Sequence, residues 1–165
     1  MPHLLPSDVS NTVTLFSKRI YVTDSCGYFH VGVLINRFHD INGSTSKIFI
    51  EFDPEENSSF LGRVFSFLFP IQGVVNINSS KNPYEEGFER IAMFPLSWSF
   101  ITFLDSNINE EEVVKRFRSY QSKYKVDSNN CRVFAQAVIQ DATCFTDYDI
   151  SKEHPLAFFL LRKCI

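Results

Sequence analysis

Tyr28-Phe29-His30-Val31-Gly32-Val33-Leu34-Ile35 is a β-branched and aromatic run with the length and composition of a strand. Alternation sets Phe29, Val31, Val33 and Ile35 on one uniformly apolar face and Tyr28, His30, Gly32 and Leu34 on the other. The stretch therefore predicts an antiparallel sheet packed on one side against helices, an α+β fold. His30 leaves the core face and sits beside a glycine. The missing side chain at Gly32 predicts close approach by another element, such as a helix carrying a thiol.

The neighbouring segments extend the sheet. Residues 18 to 23 read as a short strand before the histidine strand (28 to 36), and 47 to 53 as one after it, which makes an antiparallel meander. Arg37 to Gly43, with Asp40, Asn42 and Gly43, reads as the hairpin loop, and it contains His39. In the third strand Ile48, Ile50 and Phe52 form the apolar face, so Glu51 shares the opposite face with Phe49 and can orient His30 across the strand pair. A glutamate at such a position is more often simply a solvated strand carboxylate.

Asp53 to Asn57 breaks the chain, and the apolar stretch Phe60 to Phe69 ends at Pro70, too short to span a bilayer. Packing over the sheet is its simplest use, a substrate-facing lid or an interfacial segment the alternatives. Val74 to Asn78 reads as a further strand and Asn82-Pro83-Tyr84 as a turn. Ile91 to Leu104, interrupted by Pro95, Ser97 and Ser99, divides into a strand and a turn or second strand. Asn109 with Glu112 forms a capping box, and Val113, Phe117, Tyr120 and Tyr124 recur at helical spacing. The apolar run Leu156 to Leu161 reads as a final strand, a docked tail or a partner contact.

A second chemistry-bearing stretch is Ser128-Asn129-Asn130-Cys131-Arg132-Val133-Phe134-Ala135-Gln136-Ala137-Val138, a polar turn that delivers a cysteine to the first turn of a helix running to about Asp141. Unpaired backbone N–H groups and the positive end of the macrodipole favour an anion at such a position. Cys131, Phe134, Ala135 and Val138 share one stripe, so a helix packed by that stripe points the sulfur at strand level. A cysteine and a histidine from distant segments can then meet, the imidazole taking the thiol proton and returning it to a leaving group. The competing reading makes Cys131 a small buried hydrophobe.

The order of these two motifs, His30-Val31-Gly32-Val33-Leu34-Ile35 and then Asn130-Cys131-Arg132-Val133-Phe134 about a hundred residues later, resembles the circularly permuted papain-like thiol enzymes. In those an early strand histidine precedes an Asn-Cys-x-x-Phe helix start. Two branches fit: the PPPDE-type peptidases, which remove ubiquitin-like modifiers, and the lecithin retinol acyltransferase and HRAS-like phospholipase/acyltransferase group. The resemblance spans residues 18 to 143 and rests on two short motifs. It implies His30 as general base, Cys131 as nucleophile and a thioester intermediate. The acyltransferase branch carries a second histidine on the following strand, whereas His39 here falls in the predicted loop, so Glu51 is the expected third member. The peptidase branch, described as a Cys/His dyad, needs none and is preferred. The Cys131 backbone N–H is the expected oxyanion donor, with Tyr28 or Asn130 as the second and Asn130 alternatively a helix cap.

A single domain over residues 1–165 is the expectation from length and the absence of repeats. The net charge of −3 leaves no electrostatic footprint for nucleic acid. The basic cluster Lys115, Arg116, Arg118, Lys123 and Lys125, diluted by Glu110, Glu111 and Glu112, reads as a solvated helix side. Eighteen phenylalanines permit an apolar cleft or a peripheral membrane patch beyond the core. Cys26, Cys131, Cys144 and Cys164 form no C-x-x-C pair, so neither a structural metal nor a cofactor is expected. With no secretory signal read at Met1 to Asp8, a reduced, cytoplasmic protein is expected. Cys26, near His30, is a rival nucleophile but precedes no helix start. Three functions follow: a cysteine peptidase or isopeptidase acting on protein amides, a lipid acyltransferase or phospholipase, and a non-catalytic interaction module.

Overall fold

The computed structural model describes residues 11–23, 26–39, 43–54, 73–104, 110–118, 131–143, 147–153 and 158–159. Its strands are β1 (Thr12–Thr23), β2 (Cys26–His39), β3 (Ser44–Pro54), β4 (Gly73–Asn78), β5 (Glu89–Pro95) and the two-residue β6 (Phe158–Phe159). The helices are α1 (Trp98–Leu104), α2 (Glu110–Arg118), α3 (Cys131–Ala142) and the single turn α4 (Ile150–Glu153). All strand pairs are antiparallel and the order across the sheet is β4-β3-β2-β1-β5, with β6 added to β2. The molecule is thus α+β, with the His-bearing strand preceding the Cys-bearing helix.

The predicted meander is present and longer than its signals. β1 begins at Thr12, because Thr12-Val13-Thr14-Leu15-Phe16-Ser17 pairs along β2 and along β5 as well, so both edges of this strand are used. β2 and β3 run to His39 and from Ser44, and Gly43 takes a φ of +70° beside the turn, a conformation cheap only for glycine. Of Ile91 to Leu104, the first part is β5 but the second is helix α1 rather than a turn or strand. Ser97 makes the difference: its Oγ accepts the Phe100 N–H at 3.2 Å and caps the helix. Its own N–H donates to the Ala142 carbonyl at the end of α3.

The alternation read in β2 matches the structure. Val31, Val33 and Ile35 are fully buried with Val13 and Leu15 of β1 and Ile48, Ile50 and Phe52 of β3. Against this face pack Cys131, Phe134, Ala135 and Val138 of α3, the four residues of the expected stripe. Phe134 stacks on Phe52 with centroids 5.4 Å apart. Arg116 is not a solvated cation: its guanidinium is held bidentately by Asp141 at 2.6 and 2.7 Å and lies over Phe103. Lys123 and Lys125 lie outside the described residues, as do Asn109, Tyr120, Tyr124 and Phe60 to Phe69.

β4 and β5 are consecutive strands on opposite edges of the sheet. The connection between them therefore crosses the face opposite the described helices, where Tyr84 meets Phe16 and Phe88 meets Phe49. This crossing covers the side of the sheet that carries His30. Among the described residues no helix is long and apolar enough to cross a membrane.

A candidate cysteine, histidine and glutamate site

Backbone pairing decides where the sulfur goes. β1 pairs with β2 through Cys26, while on the other side of β2 the register with β3 stops at Gly32 opposite Glu51. β6 takes up that side only at Tyr28 and Gly27. Among the described residues, 29–31 therefore face no strand partner on the β3 side. N–H and C=O of one residue point to the same side of a strand and alternate along it, so Phe29 and Val31 both present their groups to this gap. The N-terminus of α3 fills it: Cys131 Sγ accepts the Val31 N–H at 3.4 Å and lies 4.0 Å from the Phe29 carbonyl oxygen. Cys131 is the first residue of α3 and is 2 % exposed. The helix dipole and a strand amide thus converge on one sulfur.

His30 lies on the opposite face of β2 from the core, yet between Phe29 and Val31, whose backbone holds the sulfur. Cys131, Glu51 and Asp53 are the groups whose charges and hydrogen bonding act on the imidazole. Nε2 is 2.9 Å from Glu51 Oε1 and 3.3 Å from Asp53 Oδ1, so both carboxylates lie on the Nε2 edge of the ring. Glu51 reaches the ring diagonally across the β2–β3 pair, since Gly32 is its direct opposite. Phe88 lies 5.8 Å from the ring, centroid to centroid, and shields it from water.

Opposing charges set the protonation. Burial by itself pulls the imidazole down, but the charge and hydrogen bond of Cys131, the Glu51 hydrogen bond and the charge of Asp53 outweigh it and hold His30 well above its ordinary 6.5. Glu51 shows the mirror case. Burial pushes it up, and the His30 and Lys81 hydrogen bonds and charges bring it below its ordinary 4.5. Lys81 Nζ is 2.7 Å from Glu51 Oε2, so one carboxylate oxygen serves the imidazole and the other a lysine from the crossing segment.

The expected residues meet unevenly. Cys131, His30 and Glu51 come together from three elements. Tyr28 lies on β2 opposite Ile20 of β1, two residues before His30. Asn130 lies outside the described residues, so the cap-or-donor question is not addressed by the structure. His39 is at the far end of β2, with Nε2 bonded to Ser46 Oγ at 2.9 Å, and takes no part in the site. The approach at Gly32 is a correction: the group that uses its missing side chain is not the thiol helix but the Phe49 ring, which a Cβ would overlap.

Asp53 and Lys81 are additions. Asp53 was open to alternation, being two residues from Glu51 on the same face, whereas no local pattern marks Lys81. His30, Glu51 and Asp53 offer donor atoms within 4.8 Å of one another, a set that could accept a divalent cation. In the structure Glu51 divides its two oxygens between the imidazole and the Lys81 ammonium. No protein-family model matches the chain, and no curated protein or solved structure matches it either.

Proposed function

We propose that the chain is a cysteine hydrolase of permuted papain-like design, acting through a thioester. The observation that carries this reading is the seat of the Cys131 sulfur, at a helix N-terminus and on the Val31 amide, beside the residue His30 whose Nε2 is bound by Glu51. His30 takes the thiol proton as Sγ attacks the acyl carbonyl carbon, and the imidazolium is stabilised by the carboxylate. The resulting oxyanion is met by the Cys131 backbone N–H. Collapse breaks the bond to the leaving group, which takes the proton from His30. Water, deprotonated by His30, then attacks the thioester and releases the acid and the thiol. The pair is buried, so an acyl group reaches the sulfur only as the packing around the helix start opens.

Acyl transfer of this kind serves amides and esters alike. The resemblance to PPPDE-type peptidases favours a protein amide, making the chain a peptidase or isopeptidase. A lipid acyltransferase would call for an exposed apolar segment such as Phe60 to Phe69, which lies outside the described residues, and the placing of Cys131 Sγ on the Val31 amide next to a His30 bound by Glu51 speaks against a purely structural module. Intact-mass detection of covalent adducts tests the assignment, with a ubiquitin-like C-terminal electrophile and a lipid-like acyl electrophile as separate probes. Labelling by the first alone, lost in Cys131→Ala and strongly slowed in His30→Ala, is the expected result. Labelling by the lipid probe alone would move the substrate to an ester. No labelling by either, with alkylation of Cys131 unaffected by His30→Ala, would remove the catalytic reading.

A further inference from the structure

The crossing connection from β4 to β5 leaves a cleft of about 350 Å³ on the sheet face opposite the described helices. Register assembles its floor: Thr14 of β1 stands between Met93 of β5 and Leu34 of β2, with Phe16 next along β1. Tyr84, 54 % exposed, forms one wall and meets Phe16 edge-on at 5.2 Å. Lys47 of β3, Lys81 of the crossing segment and Arg90 of β5 stand around this apolar floor.

Among the described residues no aspartate or glutamate lines the cleft. In a chain of net charge −3, three cations from three separate elements on one concave surface are a local arrangement, opposite in sign to the overall charge. The fields of Lys47 and Arg90 add in the cleft and are focused by its apolar walls, which raises the local concentration of anions. Glu51 neutralises Lys81 from the side of His30, outside the cleft lining.

We propose that this cleft binds a small amphiphilic anion, a phosphate or carboxylate headgroup on a compact apolar body. The headgroup sits among Lys47, Lys81 and Arg90, where Arg90 supplies a planar donor fork. The apolar body lies on Phe16, Leu34 and Met93. The cleft's size suits a ligand at the small end of the range for molecular pockets. The site is distinct from Cys131 and does not depend on its chemistry, although a bound anion competes with Glu51 for Lys81.

The sequence contains two methionines, Met1 and Met93, so methyl-13C methionine labelling places one NMR reporter in the cleft and leaves the other as reference. Phenyl phosphate and benzoate serve as probes for the two headgroups, with benzyl alcohol as the neutral counterpart and inorganic phosphate as the headgroup alone. The expected result is a saturable Met93 shift with one or both aromatic anions, and at least tenfold weaker binding of benzyl alcohol and of inorganic phosphate. Lys47→Gln and Arg90→Gln, both outside the Cys131 site, should each weaken anion binding about tenfold, the loss of one charge-assisted contact. A Met93 signal that ignores both anions, responds equally to benzyl alcohol, or titrates identically in both variants would overturn the assignment.

Discussion

Glu51 divides its two oxygens between His30 and Lys81, and this division makes its charge more consequential than that of an ordinary strand carboxylate. Glu51→Gln keeps the shape and removes the charge, so the imidazole loses the partner that favours its protonated form. NMR titration of His30 should then show a lower midpoint than in the wild type, and hydrolysis should slow by about 10², within the usual worth of a positioned acid–base pair. An unchanged midpoint would make the contact incidental.

The same two groups shape stability against pH. His30 is raised in the fold, so its contribution is complete below its ordinary 6.5 and fades as pH climbs through the higher folded value. Glu51 is lowered, so its contribution is complete above 4.5 and fades as pH falls through the lower folded value. Thermal unfolding should therefore show greatest stability from these groups between about pH 4.5 and 6.5. His30→Gln should flatten the decline on the alkaline side.

Two features of the elements invite direct tests. On β2, Gly32 lies under the Phe49 ring, with Glu51 Cγ 3.1 Å from where a Cβ would be. Gly32→Ala must push the ring and the carboxylate aside, an overpacking that costs about 1–3 kcal/mol in denaturant unfolding. A neutral result would mean that the Phe49 ring moves freely. Helix α1 depends on its cap, and Ser97→Ala should cost about 1 kcal/mol while leaving the sheet intact by circular dichroism. That cap is why the second half of Ile91 to Leu104 is a helix rather than the expected turn or strand. Pro95 and two serines are common turn residues, and only the Ser97 contacts with Phe100 and Ala142 turn the punctuation into a helix start.

Across the molecule, the crossing of the chain from one sheet edge to the other turns an open sheet face into a buried charge network. Phe88 is its anchor, packed on Phe49 and His30, with the Lys18 and Lys81 ammonium groups over its ring at 5.6 Å. Phe88→Ala should cost about 3–5 kcal/mol, the usual price of a large buried aromatic. It should also admit water to His30, making the imidazole's exchangeable protons measurably less protected by NMR. Unchanged protection would show that the crossing segment does not govern the site.

The residues alone determined the local and periodic features: which face of β2 carries His30, which stripe of α3 carries Cys131, and that Glu51 shares the histidine's face. Periods of 2 and 3.6 write those facts into any short window. Tertiary structure alone decided that β3 leaves β2 at Gly32, that the sulfur enters the resulting gap, and that Lys81 and Phe88 arrive from a connection spanning the sheet. Strand register and crossings arise from competition among distant packing surfaces, and no short run of sequence encodes the outcome.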